Sequence, residues 1–279
     1  MLWWISGIGL LAVTATVAGL WVSMAKIWPH PDLPRWIVER PIAHRGLHEA
    51  DAGIPENSLA ALEAAVAAGY PIELDVRILA DGNVVVFHDH TLARMAGDGR
   101  RIDTCTAEDL RPLRLTGSDQ HIPLLGEALA TIEGRVPILI ELKNPFRGDR
   151  SLERAVAAAL GDYEGEWAVV SFNPFSLRWF RKHLPEVPRG QLACDFDRLG
   201  EELEVRLPQW KRALLARLLL DGLSRPAFLA YHEGSLPAGA VERKRRRGLP
   251  VLAWTIRDGR QEARARRFAD NIIFENCRP

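Results

Sequence analysis

Short apolar runs recur along this chain, and several stop abruptly at charged or imidazole residues. His44-Arg45-Gly46 follows Ile42-Ala43, Glu73-Leu74-Asp75 sits inside the run 72–78, His88-Asp89 closes 84–88, and Glu141-Leu142-Lys143 ends 136–142. Strands are predicted at Ile42-Ala43, 72–78, 136–142, 167–172, 190–194, 228–231, 251–256 and 272–274, with helical periodicity between them at 58–68, 152–160, 175–183 and 260–268. Strands alternating with helices predict an α/β fold, a parallel sheet with helices outside. One run breaks the alternation. Residues 84–88 follow the 72–78 strand after only five residues, enough for an antiparallel hairpin but not for a parallel crossover. With Asp81-Gly82 at the tip, Asp75 is expected opposite His88. Setting this arm aside leaves eight strands, the number of a closed (β/α)8 TIM-type barrel, whose site forms at the C-terminal mouth of the strands. The long connection 91–135 predicts two short helices, one capped at Thr106-Ala107-Glu108-Asp109 and one over 124–132, placed to cover or shape that mouth.

The first segment has a different pattern. No charge occurs from Leu2 to Ala25, and roughly 20 apolar residues suffice for a transmembrane helix. Trp3, Trp4, Trp21 and Trp28 lie near its ends, where indoles favour the membrane interface. A cleaved signal peptide is the competing reading, with Ser23-Met24-Ala25 as the cleavage point, but no Lys or Arg precedes the apolar run. The expected organisation is a transmembrane anchor over 1–26, a spacer over 27–40 carrying Pro29, Pro31 and Pro34, and one barrel domain over 41–279. Lys26, Arg35 and Arg40 follow the apolar run, so the positive-inside rule predicts a single-pass membrane protein with its large domain in the cytoplasm.

Lys plus Arg equals Asp plus Glu at 36 each, which argues against a general nucleic-acid binder. The three cysteines, Cys105, Cys194 and Cys277, are widely spaced and form no zinc or redox motif, so free thiols in a reducing compartment are expected. No obligate protein partner is implied.

Glu73 and Asp75 are two apart on one strand and share a face, and Glu141 and Lys143 repeat the arrangement. Three carboxylates facing one centre repel one another unless a cation lies between them, and an all-oxygen donor set selects Mg²⁺ or Ca²⁺, or else Mn²⁺. His44 and His88 at the same mouth are candidates for proton donor and acceptor. Arg45 and Lys143 add fixed positive charge suited to an anionic phosphate. Any one pair alone reads as a solvated strand end; four coincident ones point to a site.

These residues, with Pro55-Glu56-Asn57-Ser58, Ser171-Phe172 and Trp254-Thr255-Ile256, resemble in order and spacing the glycerophosphodiester phosphodiesterases, from about Pro41 to the C-terminus. The resemblance implies a divalent-cation-dependent barrel enzyme that cleaves glycerophosphodiesters to an alcohol and glycerol 3-phosphate. It implies Glu73, Asp75 and Glu141 as metal ligands, His44 and His88 as general acid and base, and Arg45 and Lys143 as phosphate ligands. It further implies attack by the substrate's own glycerol hydroxyl, giving a cyclic phosphate that water opens. The last strand departs from the pattern by ending in Glu275 where many relatives carry Thr-Asp, so Glu275 either replaces that carboxylate or pairs with a cation.

Asn57 is expected chiefly as a helix N-cap. Trp254 either stacks on substrate or packs in the core. The basic run Arg243 to Arg247, with Arg260, Arg264, Arg266 and Arg267, either faces solvent or attracts anionic lipid, and 209–220 either forms a barrel helix or rests on a bilayer. Two other functions are carried. One keeps the site but hydrolyses membrane lysophospholipids as a lysophospholipase D; the other is a non-catalytic, membrane-tethered module that binds anionic lipid.

Overall fold

The computed structural model describes residues 26–30, 32–145, 148–199 and 207–279. Nine strands form one sheet: β1 Ile42–His44, β2 Ile72–Ile78, β3 Val84–Val86, β4 Ile138–Leu142, β5 Trp167–Ser171, β6 Arg189–Ala193, β7 Phe228–His232, β8 Val251–Ile256 and β9 Asn271–Phe274. Eight run parallel, and β1 pairs with both β2 and β9, so the sheet closes into the expected barrel. β3 lies outside the closed ring, antiparallel to β2.

Alternation along each strand divides the core in two. Leu74, Val76, Ile138, Ile140, Val169 and Leu229 belong to the layer between the barrel and its helices. Ile42, Leu139, Ala168, Phe228 and Leu252 belong to a second cluster inside the barrel, together with Trp36 and Ile37. Two residues further along their strands, the inward positions become His44 after Ile42, Glu141 after Leu139 and Trp254 after Leu252. The barrel therefore has an apolar floor and a polar mouth.

The segment 27–40 is more than an extended spacer. Trp36–Glu39 forms a helical turn whose Trp36 and Ile37 are buried in the floor, and the Asn271 side chain donates to Ile37 O at 2.8 Å and Arg40 O at 2.7 Å. The packed domain thus begins before Pro41, because the open lower end of a barrel exposes apolar side chains that something must cover. Trp28 lies between the ammonium groups of Lys26 and Lys244, 5.9 and 5.8 Å from its ring. No helix among the described residues is long and apolar enough to cross a membrane; the proposed anchor, with Trp3, Trp4 and Trp21, lies outside them.

The hairpin differs from expectation by one residue. Val76 pairs with Val86 and the Phe87 N–H donates to Asp75 O at 2.9 Å, so Phe87 rather than His88 stands opposite Asp75. The cause is the turn. Leu79 N–H bonds Asn83 O and Gly82 adopts φ +86°, making a three-residue loop over 80–82 in place of a two-residue tip. The connection 91–135 carries the two expected helices at Ala107–Leu110, with the Thr106 capping box, and Leu125–Ile132, and a third short one, Ala93–Ala96, that the sequence reading did not predict. Leu92, Ile102, Leu110, Leu115 and Ile122 pack with Val85 and Phe87 into a small satellite core that holds this flap beside the mouth.

Candidate active site

The inward face of β2 carries only polar residues, Glu73, Asp75 and Arg77, all buried. Register places Asp75 beside Glu141 of β4 and Glu73 beside His44 of β1. Glu73, Asp75 and Glu141 each bring an oxygen within 4.8 Å of the others. Burial and the charges of Asp75 and Glu141 push the Glu73 carboxyl well above its ordinary range. Burial raises Glu141 as well, against the pull of Lys143. Burial also acts on Asp75, but Lys143 and Arg45 outweigh it and keep this carboxylate ionised. A carboxyl raised by its own burial and by two neighbouring carboxylates is one that a cation between the three would relieve. The donors are all oxygen, so the set fits a hard divalent ion.

Cations already on the protein partly fill that need. Lys143 Nζ lies 3.1 Å from Asp75 Oδ1 and 2.7 Å from Glu141 Oε1. Arg45 Nε lies 3.0 Å from Asp75 Oδ2, while its Nη1 donates to Glu56 Oε1 at 2.7 Å and its backbone N–H to Glu73 Oε2 at 3.1 Å. Asn57 Nδ2 donates to Asp75 Oδ2 at 3.0 Å. Asn57 is therefore a prop for the acid, not the helix cap. The cap of Leu59–Ala68 is Ser58, whose Oγ accepts from the Ala61 N–H at 3.1 Å.

His44 and His88 are built alike. His44 Nδ1 lies 2.5 Å from Glu275 Oε2, and Glu275 Oε1 accepts from Arg257 Nε at 2.7 Å. His88 Nδ1 lies 2.7 Å from Asp89 Oδ1, and Asp89 Oδ2 accepts from Arg94 Nε at 2.7 Å. Burial, followed by Arg45, lowers the His44 pKa despite Glu275; burial, followed by Lys143, lowers His88 to about 3. Burial opposes ionisation of Glu275 and Asp89, yet their imidazole and arginine partners hold both well below the usual carboxylate range. Each imidazole is thus neutral near pH 7. An ionised carboxylate can only accept, so Nδ1 carries the proton and Nε2 keeps its lone pair.

Both histidines line a cavity of about 490 Å³ together with Glu73, Glu141, Arg45 and Lys143. The opposite wall is apolar, formed by Val170, Phe172, Leu192 and Trp254. Trp254 meets Phe172 edge-on at 5.7 Å and His232 at 5.2 Å, and its buried indole nitrogen has no hydrogen-bond partner. It both packs and faces the cavity.

Of the candidate site residues, His44, Arg45, Glu73, His88, Glu141, Lys143 and Trp254 line the cavity; Asp75, buried against Arg45 and Lys143, and Glu275, which backs His44, do not, and neither does the basic set with Arg260 and Arg264. Sequence reasoning left Glu275 undecided; it backs His44. It named Glu56 within Pro55-Glu56-Asn57-Ser58 without its role as partner of Arg45 and Arg94, and it missed Arg94, Arg257 and His232. The available signals were position alone: His232 and Arg257 each end or follow a barrel strand, where a side chain reaches the mouth.

Comparisons with known proteins agree with this geometry. The model of the glycerophosphoryl diester phosphodiesterase family matches residues 44–274. A glycerophosphodiester phosphodiesterase of Caldanaerobacter subterraneus is 32% identical over 163 residues, 54% of this chain and 65% of that protein, just under two thirds of its length. A Bacillus subtilis protein whose name assigns it provisionally to the same activity is 32% identical over 257 residues, covering 84% of this chain and 93% of its own. Among solved structures, an Oleispira antarctica phosphodiesterase in complex with the product sn-glycerol-3-phosphate superposes with a TM-score of 0.68 at 26% identity, covering 85% and 93% of the two chains. The glycerophosphodiester phosphodiesterase of Thermotoga maritima gives 0.62 at 25% identity, covering 84% and 92%. With the family model matched across nearly the whole barrel, this chain belongs to the glycerophosphoryl diester phosphodiesterase family.

Proposed function

We propose that this protein hydrolyses glycerophosphodiesters to an alcohol and glycerol 3-phosphate, using a divalent cation at Glu73, Asp75 and Glu141 and proton transfer by His44 and His88. The observation that carries the reading is the buried acid triad lying between two imidazoles, each backed at Nδ1 by an ionised carboxylate. The product-bound Oleispira neighbour supports the substrate class.

A bound divalent cation would draw charge from the non-bridging phosphate oxygens and make phosphorus more electrophilic. The rest falls to the chain. A neutral Nε2 accepts the proton of the attacking hydroxyl, while the other imidazole, protonated when an anionic phosphate lies beside it, donates to the leaving alkoxide. Glu275 and Asp89 fix both rings in the required tautomer. Lys143 and Arg45 lie beside the triad as fixed positive charge for a phosphate oxygen, and a cation held by Asp75 and Glu141 would free the Lys143 ammonium for that contact. Trp254 and Phe172 offer an apolar surface to the glycerol or the alcohol.

That apolar wall also favours a second reading, in which a lysophospholipid enters and its headgroup is released. Anchorage in a membrane through 2–25 is part of both readings, supported by the absence of charge in that run. The test is release of glycerol 3-phosphate from glycerophosphocholine by purified full-length protein supplied with Mg²⁺ or Ca²⁺, beside lysophosphatidylcholine at equal concentration. Activity should vanish with chelator and fall at least about a thousandfold in His44→Ala and Glu73→Ala. Unimpaired turnover in either variant contradicts the assignment.

A further inference from the structure

The end of the barrel opposite the cavity is electrically divided. Loops leading into the strands lie at this end. Those entering β7, β8 and β9 expose Arg225, Arg246 and Arg247, and Arg266 and Arg267. Those entering β4 and β5 expose Glu133, Asp162, Glu164 and Glu166 beside a single arginine, Arg135. Glu242, Glu262 and Asp270 pair with Arg246, Arg266 and Arg245; these three acids against Arg225, Arg245, Arg246, Arg247, Arg266 and Arg267 still leave the β7–β9 sector with excess positive charge.

The N-terminal segment reaches the barrel in the same sector. Lys244, buried in the last turn of Gly239–Arg245, donates from Nζ to Lys26 O at 3.0 Å and pairs with buried Asp221. From Lys26 the chain crosses the floor. His30 Nε2 lies 3.2 Å from Glu186 O in the loop entering β6, Trp36 and Ile37 plug the barrel, and the Arg40 guanidinium donates to Gly69 O ahead of β2. Lys26, which follows the uncharged run 2–25 in sequence, therefore lies at the floor end, opposite the mouth.

We infer that the β7–β9 sector of this floor face rests on an anionic phospholipid bilayer, and that the catalytic mouth opens away from it into water. An apolar run next to exposed arginines combines two weak membrane signals into one stable attachment, each arginine near an anionic surface contributing about 1 kcal/mol. The buried Lys244–Asp221 pair fixes the point of attachment. Substrate then arrives from the aqueous side, and a lysophospholipid must leave the bilayer to reach His44 and His88. The inference rests on the membrane reading of 2–25, not on the phosphodiesterase reading.

The other surface able to meet lipid is the helix Gln209–Ala216. Its Trp210 is 62% exposed, and it packs through Leu215 beside Cys194 and Phe196, near Trp254 at the mouth. The two surfaces are separable. In a Cys277→Ser background, since Cys105 and Cys194 are buried, a fluorophore is placed at Arg267→Cys on the floor or Gln209→Cys at the mouth. Full-length protein is reconstituted into phosphatidylcholine vesicles with or without phosphatidylglycerol, and quenching by nitroxide-labelled lipid is read. The floor probe should be quenched at least about twofold more than the mouth probe, and more strongly in anionic than in neutral vesicles. Arg246→Glu with Arg247→Glu should remove the extra quenching contributed by phosphatidylglycerol. Equal quenching of the probes, stronger quenching at Gln209→Cys, no dependence on lipid charge, or failure of the full chain to float with vesicles overturns the inference. Thermal melting checks that the variants fold. No hydrolysis is read, so failure here is distinct from failure of the enzymatic reading.

Discussion

The two ends of the barrel interior are built from the same strands to opposite specifications. At the floor, Ile42, Leu139, Phe228 and Leu252 meet Ile37 in a close-packed apolar layer; two residues on, three of the four columns present His44, Glu141 and Trp254 to the mouth. β2 is the exception, with Glu73, Asp75 and Arg77 inward along its length. The comparison teaches where stability and chemistry reside. Apolar burial at the floor offsets the cost of holding like charges together above it, and that crowding at the mouth is what makes a cation and an anionic substrate welcome.

The largest expected effect comes from breaking the mouth alone. Asp75→Asn keeps the shape and the contact to Asn57 but removes the charge that Lys143 and Arg45 surround. Turnover should fall at least about a thousandfold, roughly 4 kcal/mol of transition-state stabilisation, while the chelated protein melts within a few degrees of the parent. Turnover within tenfold of the parent would mean that the acid triad is not the seat of the chemistry.

Breaking the floor should do the reverse. Phe228→Ala removes a fully buried ring, and denaturant unfolding should show a loss of about 3–5 kcal/mol. The value of kcat/KM per folded molecule should stay within about threefold, because Phe228 lies below the reacting groups. A collapse of activity with stability intact would show that floor and mouth are not separable.

This division was largely legible beforehand because it is written in period two. Ile42 to His44 and Leu139 to Glu141 each change character across one strand repeat, so the barrel, its mouth and the acid triad follow from alternation. Three features were not legible, each for a physical reason. The hairpin register turned on whether Gly82 closed a two- or a three-residue loop, a backbone choice that Asp81-Gly82 permits either way. Asn57 and Ser58 are both good caps, and only the positive φ of Asn57, +56°, turns its side chain to Asp75. The roles of Glu56, Arg94 and Arg257 rest on partners 11 to 38 residues away in the chain, or on the flap, where no local pattern records the partner.

Glu56 offers a middle-sized test. Burial pushes its carboxyl upward, but Arg94 and Arg45 outweigh that and bring it from 4.5 to about 2. A depressed carboxylate contributes stability above its unfolded pKa and loses it as pH falls through the folded value. The parent should therefore exceed Glu56→Gln by about 2 kcal/mol at pH 7, with the gap closing between pH 4.5 and about 2. A gap unchanged at the acid end of a urea-unfolding series would show that the network acts through shape instead of charge.

The smallest effect separates the two imidazole supports. Arg94 and Arg257 are both about half exposed, but Arg94 grips both Asp89 oxygens and also Glu56, whereas Arg257 gives Glu275 one hydrogen bond. An exposed single ion pair contributes little, so Arg257→Ala should lower kcat only about threefold, leave KM nearly unchanged, and be partly rescued by Arg257→Lys. Arg257 also lines the cavity, which makes the opposite result informative. A tenfold rise in KM with kcat preserved would place its guanidinium on the substrate phosphate, and the resemblance between the His44 and His88 supports would then hold for the carboxylates but not for the arginines behind them.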